Sequence, residues 1–417
     1  MQMSITQQSI HTIQSIASEI HNDLIMVRRD LHRHPEISGH EAWTSQYLAE
    51  WLHDLGLSVQ TGVGGYGLTA DLVTDPSKPT VALRVDMDAL PIQQISQAPY
   101  QSTIPGVMHA CGHDVHAAIG IGTARVLTQM HTVLPGNVRL IFQPEEEEIT
   151  GALRMIRAGV LKNPTPTAIL GLHVAPFPAG QIGWTDDLFL AGFEHFLVTL
   201  GPNHMHAPTP GHLDAVARRC CRAIHRLNRW HLPNTWEEMC RFWETMQAGP
   251  PELKRFIVYD ATTNDEVQPA WQGQFGLGIK AANRHLRIAA LGRVRATLNT
   301  ICQATYTRYR IEPMGLMIDM RNDPGLVHAN LPALEKSIGL ENIRQLKAAF
   351  PFNCEDFAYY TKEIPGAMYW LGAANPAQGK YAMLHTPDFD VDETCIETGT
   401  IAMAAMLFNT LSQASTQ

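Results

Sequence analysis

The chain carries no C-x-x-C pair. Its seven cysteines, Cys111, Cys220, Cys221, Cys240, Cys302, Cys354 and Cys395, are an odd number spread over 417 residues, which argues against a disulfide framework and for a reducing compartment. There is no apolar run long enough to cross a bilayer. Residues 1–30 also lack the continuous apolar core of a signal peptide; they read as an amphipathic helix with Ile10, Ile13, Ile16 and Ile20 on one side. A cytoplasmic location is the expectation. Lys and Arg form no stripe, and with a formal charge of −9 the chain has no basic footprint for nucleic acid. No internal repeat or low-complexity segment is present, since the glutamates at 145–148 are too short a run to count. What remains is a globular mixture, 45% hydrophobic and 17% charged, long enough for two cores. That composition suits small-molecule chemistry in a two-domain protein.

Through the first half, segments that read as strands alternate with segments that read as helices, which favours an α/β fold with a mostly parallel sheet. Thr80 to Val85, Asn137 to Phe142 and Ala168 to His173 are apolar runs rich in β-branched residues, and each ends in reactive side chains: Asp86 and Asp88, then Gln143 to Glu148, then His173. Ligands of open α/β sheets bind beyond the carboxyl ends of the strands, so these three ends point to one shared site. From Phe193 the pattern becomes strand, helix (His212 to Trp230), two strands (Arg255 to Tyr259 and Gln274 to Ile279), helix (Ala282 to Tyr306) and strand (Tyr309 to Met320). That order is the split βαβ, ferredoxin-like arrangement. The expected architecture is a discontinuous catalytic domain, 1–192 and 322–417, with a mostly parallel mixed sheet flanked by helices, interrupted by a smaller α+β lid domain at 193–321.

Two local clusters carry chemistry. His109-Ala-Cys111-Gly-His113-Asp114-Val-His116 packs three histidines, a thiol and a carboxylate into a few positions. Cys111 and His113 project to the same side of an extended stretch, and a thiolate with an imidazole suits zinc, cobalt, nickel or manganese-type ions. The bland alternative is a buried thiol among structural histidines. Gln143-Pro144-Glu145-Glu146-Glu147-Glu148 follows an apolar strand directly. Adjacent carboxylates repel unless a cation lies near, although a solvated acidic loop would also read this way.

These stretches, with Val81 to Pro91, Gly171-Leu-His173 and Leu384-His-Thr-Pro387, resemble one family. It is the dimetal amidohydrolase family of the metallopeptidase M20 superfamily, which includes hippurate hydrolase, bacterial N-acyl-amino-acid amidohydrolases and plant indole-acetyl-amino-acid hydrolases. Arg29 to Glu36 and Cys354-Glu-Asp-Phe357 look like it too. The resemblance implies two divalent metal ions per subunit, with Cys111, His113, Glu147, His173 and His385 as ligands and Glu146 as general base. It gives Asp86 and Asp88 a supporting role around the ligands. It implies a lid histidine, here His206 in Gly201-Pro-Asn-His-Met-His206-Ala, that steadies the oxyanion, often from the partner subunit of a homodimer. His204, two residues away, is the other candidate.

The resemblance weakens in the lid. Asn264 and Lys280 are a loose echo of the family's Asn and Arg that help hold the substrate carboxylate or the dimer, and Lys lacks the arginine fork. An extra helix around 234–248, rich in aromatics, is expected to pack its apolar face on the lid, with an acyl pocket or a replaced dimer contact as alternatives. The expected activity is hydrolysis of small N-acyl amino acids. A dipeptidase or carboxypeptidase on the same metals is the enzymatic rival, and a metal-retaining binding protein the non-enzymatic one.

Overall fold

The computed structural model describes residues 5–203, 211–263 and 273–415. Its first half alternates as expected: helices α1 (Gln7–Arg33) and α2 (Ala42–Asp54), strands β1 (Ser58–Thr61), β2 (Leu68–Leu72) and β3 (Thr80–Asp86), helix α3 (His113–Gln129), β4 (Asn137–Gln143), α4 (Gly151–Arg157) and β5 (Ile169–Pro178). Two short strands follow, β6 (Ile182–Trp184) and β7 (Leu188–Leu190). Next come β8 (Phe193–Pro202), α5 (His212–His225), α6 (Trp236–Ala248), β9 (Ile257–Thr262), β10 (Gln274–Ala281), α7 (Arg284–Ala304) and β11 (Thr307–Leu316). The chain closes with β12 (Met320–Arg321), α8 (Pro324–Ile338), β13 (Ile343–Gln345), α9 (Ala358–Glu363), β14 (Gly366–Ala374) and α10 (Thr394–Ala414).

Among the described residues the large sheet has eight strands in the order β1-β2-β4-β3-β5-β14-β6-β13. Its centre is parallel, β4 to β3 to β5 to β14, and antiparallel pairs lie towards the edges. Alternation along the strands splits the core in two. Leu83, Val85, Leu140, Leu172 and Tyr369 face α1, α3 and α10 in one cluster, while Ala82, Ile141, Ile169, Met368 and Trp370 belong to a second cluster with α4, α6 and α9. Helix α1 buries Ile10, Ile13, Ile16 and Ile20, the stripe visible in the sequence.

The smaller sheet is antiparallel, in the order β11-β8-β10-β9. Phe196, Val198, Phe275, Leu277 and Ile279 point to one face and pack on α5 and α7. Helix α5 stops at His225 rather than running to Trp230, because Asn228 leaves the helix to bracket Tyr259, accepting from its N–H at 2.7 Å and donating to its carbonyl at 2.9 Å. The strand expected from Tyr309 to Met320 divides into β11 and β12 after an irregularity between Pro313 and Gly315.

Helix α6 forms where expected, capped by Thr235, whose hydroxyl accepts from Glu238 N–H, and ended by Gly249 at φ 62°. Its packing corrects the expectation. The aromatic face lies on the large sheet and not on the small one: Trp243 meets Phe177 edge-on at 4.9 Å, stacks on Phe350 at 6.0 Å and donates to Pro176 O. Apolar surface on β5 and the 350–352 segment accepts the side chains that the pattern marked as buried but could not assign.

Candidate metal centre

The carboxyl ends of β3 and β4 and the middle of β5, which runs past His173 to Pro178 and does not end there as the sequence suggested, deliver their reactive residues to one place. Gly112, at φ 84°, turns the chain into α3 so close to Val174 that a Cβ would stand 2.4 Å from its Cγ2. That turn needs glycine. It sets Cys111 before the helix and His113 on its first residue. Cys111 Sγ lies 3.5 Å from His173 Nε2 and 3.2 Å from His385 Nε2. His385 Nε2 is 3.4 Å from Glu147 Oε1, and His113 Nε2 is 3.8 Å from the same oxygen.

Hydrogen bonds aim these rings. His173 Nδ1 donates to Val174 O at 2.8 Å, and His113 Nδ1 donates to Asp88 Oδ1 at 3.1 Å, which leaves both Nε2 lone pairs facing the cluster. The other oxygen of Asp88 accepts from Ser38 Oγ at 2.6 Å and from Glu147 N–H at 3.0 Å. One carboxylate thus orients two candidate ligands. Asp86 accepts from His116 Nδ1 at 2.5 Å and from Arg84 at 2.6 Å, while His116 Nε2 accepts from Val174 N–H at 2.9 Å. Arg84 also reaches Gln143, Glu355 and Asp356. Glu146 is buried next to Glu355 and Asp356 on one side and His113 and Glu147 on the other.

The donor set fits metal ions. Cys111–His113–His173 and Cys111–Glu147–His385 each bring three ligand atoms within 4.8 Å of one another and share only the thiol, so these five residues would hold two ions. His113 Nε2 and Glu147 Oε1 are buried with no hydrogen-bond partner among the described residues, as metal ligands would be before coordination. The charge balance agrees. Burial and then Glu147, Glu146 and Asp86 push the Cys111 thiol well above its usual range. Burial would lower the His113 imidazole, but Asp86, Asp88 and Glu147 carry it up to about 10. A divalent cation supplies the positive charge that lets both groups lose their protons.

Every expected ligand, together with Glu146, Asp86 and Asp88, therefore converges. Lys280 arrives from the small sheet and lines the same cavity of about 180 Å³ as Cys111, Glu147, His173 and His385. His206 and Asn264 lie outside the described residues. Sequence reasoning assigned no role to His116, Arg84, Glu355 or Asp356. Arg84 did carry a signal, a charged residue inside an otherwise apolar strand, and a fully buried arginine must be paired.

The family model described as Peptidase family M20/M25/M40 matches residues 82–409. N-acetylcysteine deacetylase of Bacillus subtilis is 29% identical, over 90% of this chain and 93% of its own. IAA-amino acid hydrolase ILR1-like 5 of Arabidopsis thaliana is 30% identical, over 92% of this chain and 85% of its own. Among solved structures, the Bacillus subtilis YXEP protein, a dinuclear metal-binding peptidase from the M20 family, aligns with a TM-score of 0.70 at 26% identity, covering 94% of this chain and 99% of its own. With two ligand groups that share one thiol beside its central strands, the chain belongs to peptidase family M20/M25/M40 and is a metal-dependent amidohydrolase with a dinuclear centre.

Proposed function

We propose that the enzyme hydrolyses the amide bond of N-acyl amino acids. The observation that carries this reading is the shared cavity: Lys280, whose ammonium donates to Phe352 O, lines the same small space as the ligand cluster. A substrate can then place its amide carbonyl at the cluster and its carboxylate on Lys280. Divalent ions of the zinc, manganese, cobalt or nickel type supply Lewis-acid polarisation of the carbonyl and acidify water. Glu146, buried beside the cluster, takes the proton from the attacking water and returns it to the departing amine nitrogen. Glu147 and His113 are held in register by Asp88, and His116 is held by Asp86.

We assign 193–321 as the lid and 1–192 with 322–417 as the catalytic domain, on the separate sheet and separate core of the smaller segment. A homodimer through the lid is supported by edge strand β11, which leaves Met314 and Leu316 exposed. His206 would supply the oxyanion donor from that lid. A cytoplasmic enzyme is supported by the free thiols of all seven cysteines. No described helix is long and apolar enough to cross a membrane.

The test is a substrate series with a Lys280→Ala variant. Acetylated amino acids should be cleaved faster than dipeptides. Lys280→Ala should raise KM about tenfold or more for carboxylate substrates, the scale of a lost charge-assisted contact, and leave carboxamide-capped analogues unaffected. Equal cleavage of free and capped substrates by both proteins would overturn the reading.

A further inference from the structure

A second cavity, about 630 Å³, adjoins the metal pocket, and the two share Ile149, Lys280, Phe352 and Cys354 in their walls. Its floor is the face of the small sheet turned away from α5 and α7. Register defines that floor in rows, because directly opposed residues point to the same side. Phe193, Lys280 and Val258 form the row nearest the ligand cluster; His195, Gly278 and Asp260 form the next; Leu197, Gly276 and Thr262 form the third. Along the central strand the sequence thus runs from the ammonium of Lys280 to two positions without side chains. From Lys280 to Gly276 the trough extends about 13 Å, at roughly 3.3 Å per strand residue. Trp230 and Leu232, from the loop that joins α5 to α6, contribute further apolar wall.

We propose that this trough receives the side chain of the leaving amino acid, and that the enzyme prefers N-acyl derivatives of aromatic amino acids bearing a short acyl group. The inference rests on the N-acyl amino acid reading above. Lys280 decides the orientation: it borders both cavities, so a carboxylate held there lies at their junction. The carboxylate and the side chain of an amino acid share one Cα, whereas the acyl group leaves the carbonyl on the opposite side. The amine half of the substrate therefore extends over the trough, and the acyl half stays in the smaller pocket of about 180 Å³ against Leu190 and Trp370. Aromatic chemistry follows from the surfaces. The glycine positions leave room above the sheet, with the His195 imidazole 3.3 Å from the Cβ position of Gly276, and Phe193, Trp230 and Phe352 offer rings around it. Hydrolysis breaks the acyl C–N bond, adds water's oxygen to the acyl carbon and leaves its protons with the products, free acid and free aromatic amino acid.

The experiment compares kcat/KM of the metal-loaded enzyme on N-acetyltryptophan, N-acetyltyrosine, N-acetylglycine and hippurate, before and after Gly278→Leu. Gly278 has no left-handed backbone angle, and a Cβ there would make an ordinary contact, 3.6 Å from Asp260 Cβ, so leucine can be accommodated as a plug. The wild type should favour N-acetyltryptophan over N-acetylglycine by roughly tenfold or more, the range one pocket can supply. The variant should lose most of that ratio through KM, with Gly278→Ala falling between. Hippurate carries a large acyl group on glycine and should follow N-acetylglycine. A variant that impairs hippurate while sparing N-acetyltryptophan would overturn the assignment in favour of an acyl pocket, and an unchanged ratio with normal metal content would overturn it altogether. Failure of the wild type on every N-acyl amino acid would instead reject the underlying functional reading.

Discussion

At the scale of single residues, the glutamate run shows how neighbours acquire different work. Glu147 has its backbone N–H on Asp88 and an oxygen within 3.4 Å of His385 Nε2, the position of a ligand. Glu146 lies between the ligands and the pair Glu355 and Asp356, one of its oxygens 3.9 Å from His113 Nε2. Glu146→Gln should keep the metal content and lower kcat by about a hundredfold or more, since an amide cannot carry the water proton. Glu147→Gln should lower metal occupancy, read by elemental analysis of the purified proteins. The opposite pattern would move the roles by one residue. Arg28 makes a different case, because it is fully buried among Asp114, Asp390 and Glu393 at 2.8, 3.1 and 3.2 Å. Removing it leaves uncompensated charge, so Arg28→Met should destabilise the fold by about 3–5 kcal/mol in urea titrations at neutral pH. The pH dependence has a sign. Burial pushes the Asp390 carboxyl up, but Arg28, Lys380 and the Tyr100 hydroxyl outweigh it and hold the group below its usual range. A depressed folded-state value stabilises above the unfolded value, near about 3.9, and that contribution is lost as pH falls below it. The gap between wild type and Arg28→Met should therefore narrow on acidification below about pH 4; a constant gap would show that Asp390 does not couple to Arg28.

At the scale of elements, α6 ties the segment carrying the small sheet to the large one. Its Trp243 is 6% exposed and packs against Phe177, Phe350 and Trp370, and Trp370 in turn lines the metal pocket. Trp243→Ala should cost about 3–5 kcal/mol, as large-to-small changes of buried tryptophan do. If α6 packed on the small sheet instead, the same change would leave the tryptophan environment at Trp370 untouched, which near-UV circular dichroism or fluorescence would reveal. The loop that leads into α6 also supplies Trp230 and Leu232 to the trough beyond Lys280, so this inserted element both braces the structure and furnishes the wall of a cavity.

At the scale of the whole molecule, the metal centre draws on β3, β4, β5, the start of α3 and the segment around His385, so ions held there would cross-link distant parts of the chain. Chelation should abolish amidase activity and also lower the thermal midpoint, because ligands that bind only the folded state stabilise it by mass action. Added zinc, manganese or cobalt should restore both. Full activity in protein shown by elemental analysis to be metal-free would sink the mechanism, and an unchanged midpoint would separate catalysis from the structural cross-link.

The sequence by itself determined the strands and helices with strong periodicity, the discontinuous order of the two sheets, and the residues that gather at the metal centre. The reason is partly local: Cys111 and His113 flank a tight glycine turn at a helix start, Glu147 follows a strand within a few residues, and His173 and His385 stand in short motifs that resemble the family's. Asp88 was legible as a supporting group for the same reason, although its double hold on His113 and Glu147 was not. Only the tertiary structure decided that Arg84 gathers Asp86, Glu355 and Asp356, that His116 is locked between Asp86 and Val174, that α6 lies on the large sheet, and that Lys280 enters the metal pocket with a glycine-floored trough behind it. These are contacts between segments far apart in the chain. Periodicity tells which face of an element must be covered, because burial is set by apolar area; it does not tell which of several apolar surfaces will cover it, because that choice depends on the shapes that meet once the whole chain has packed.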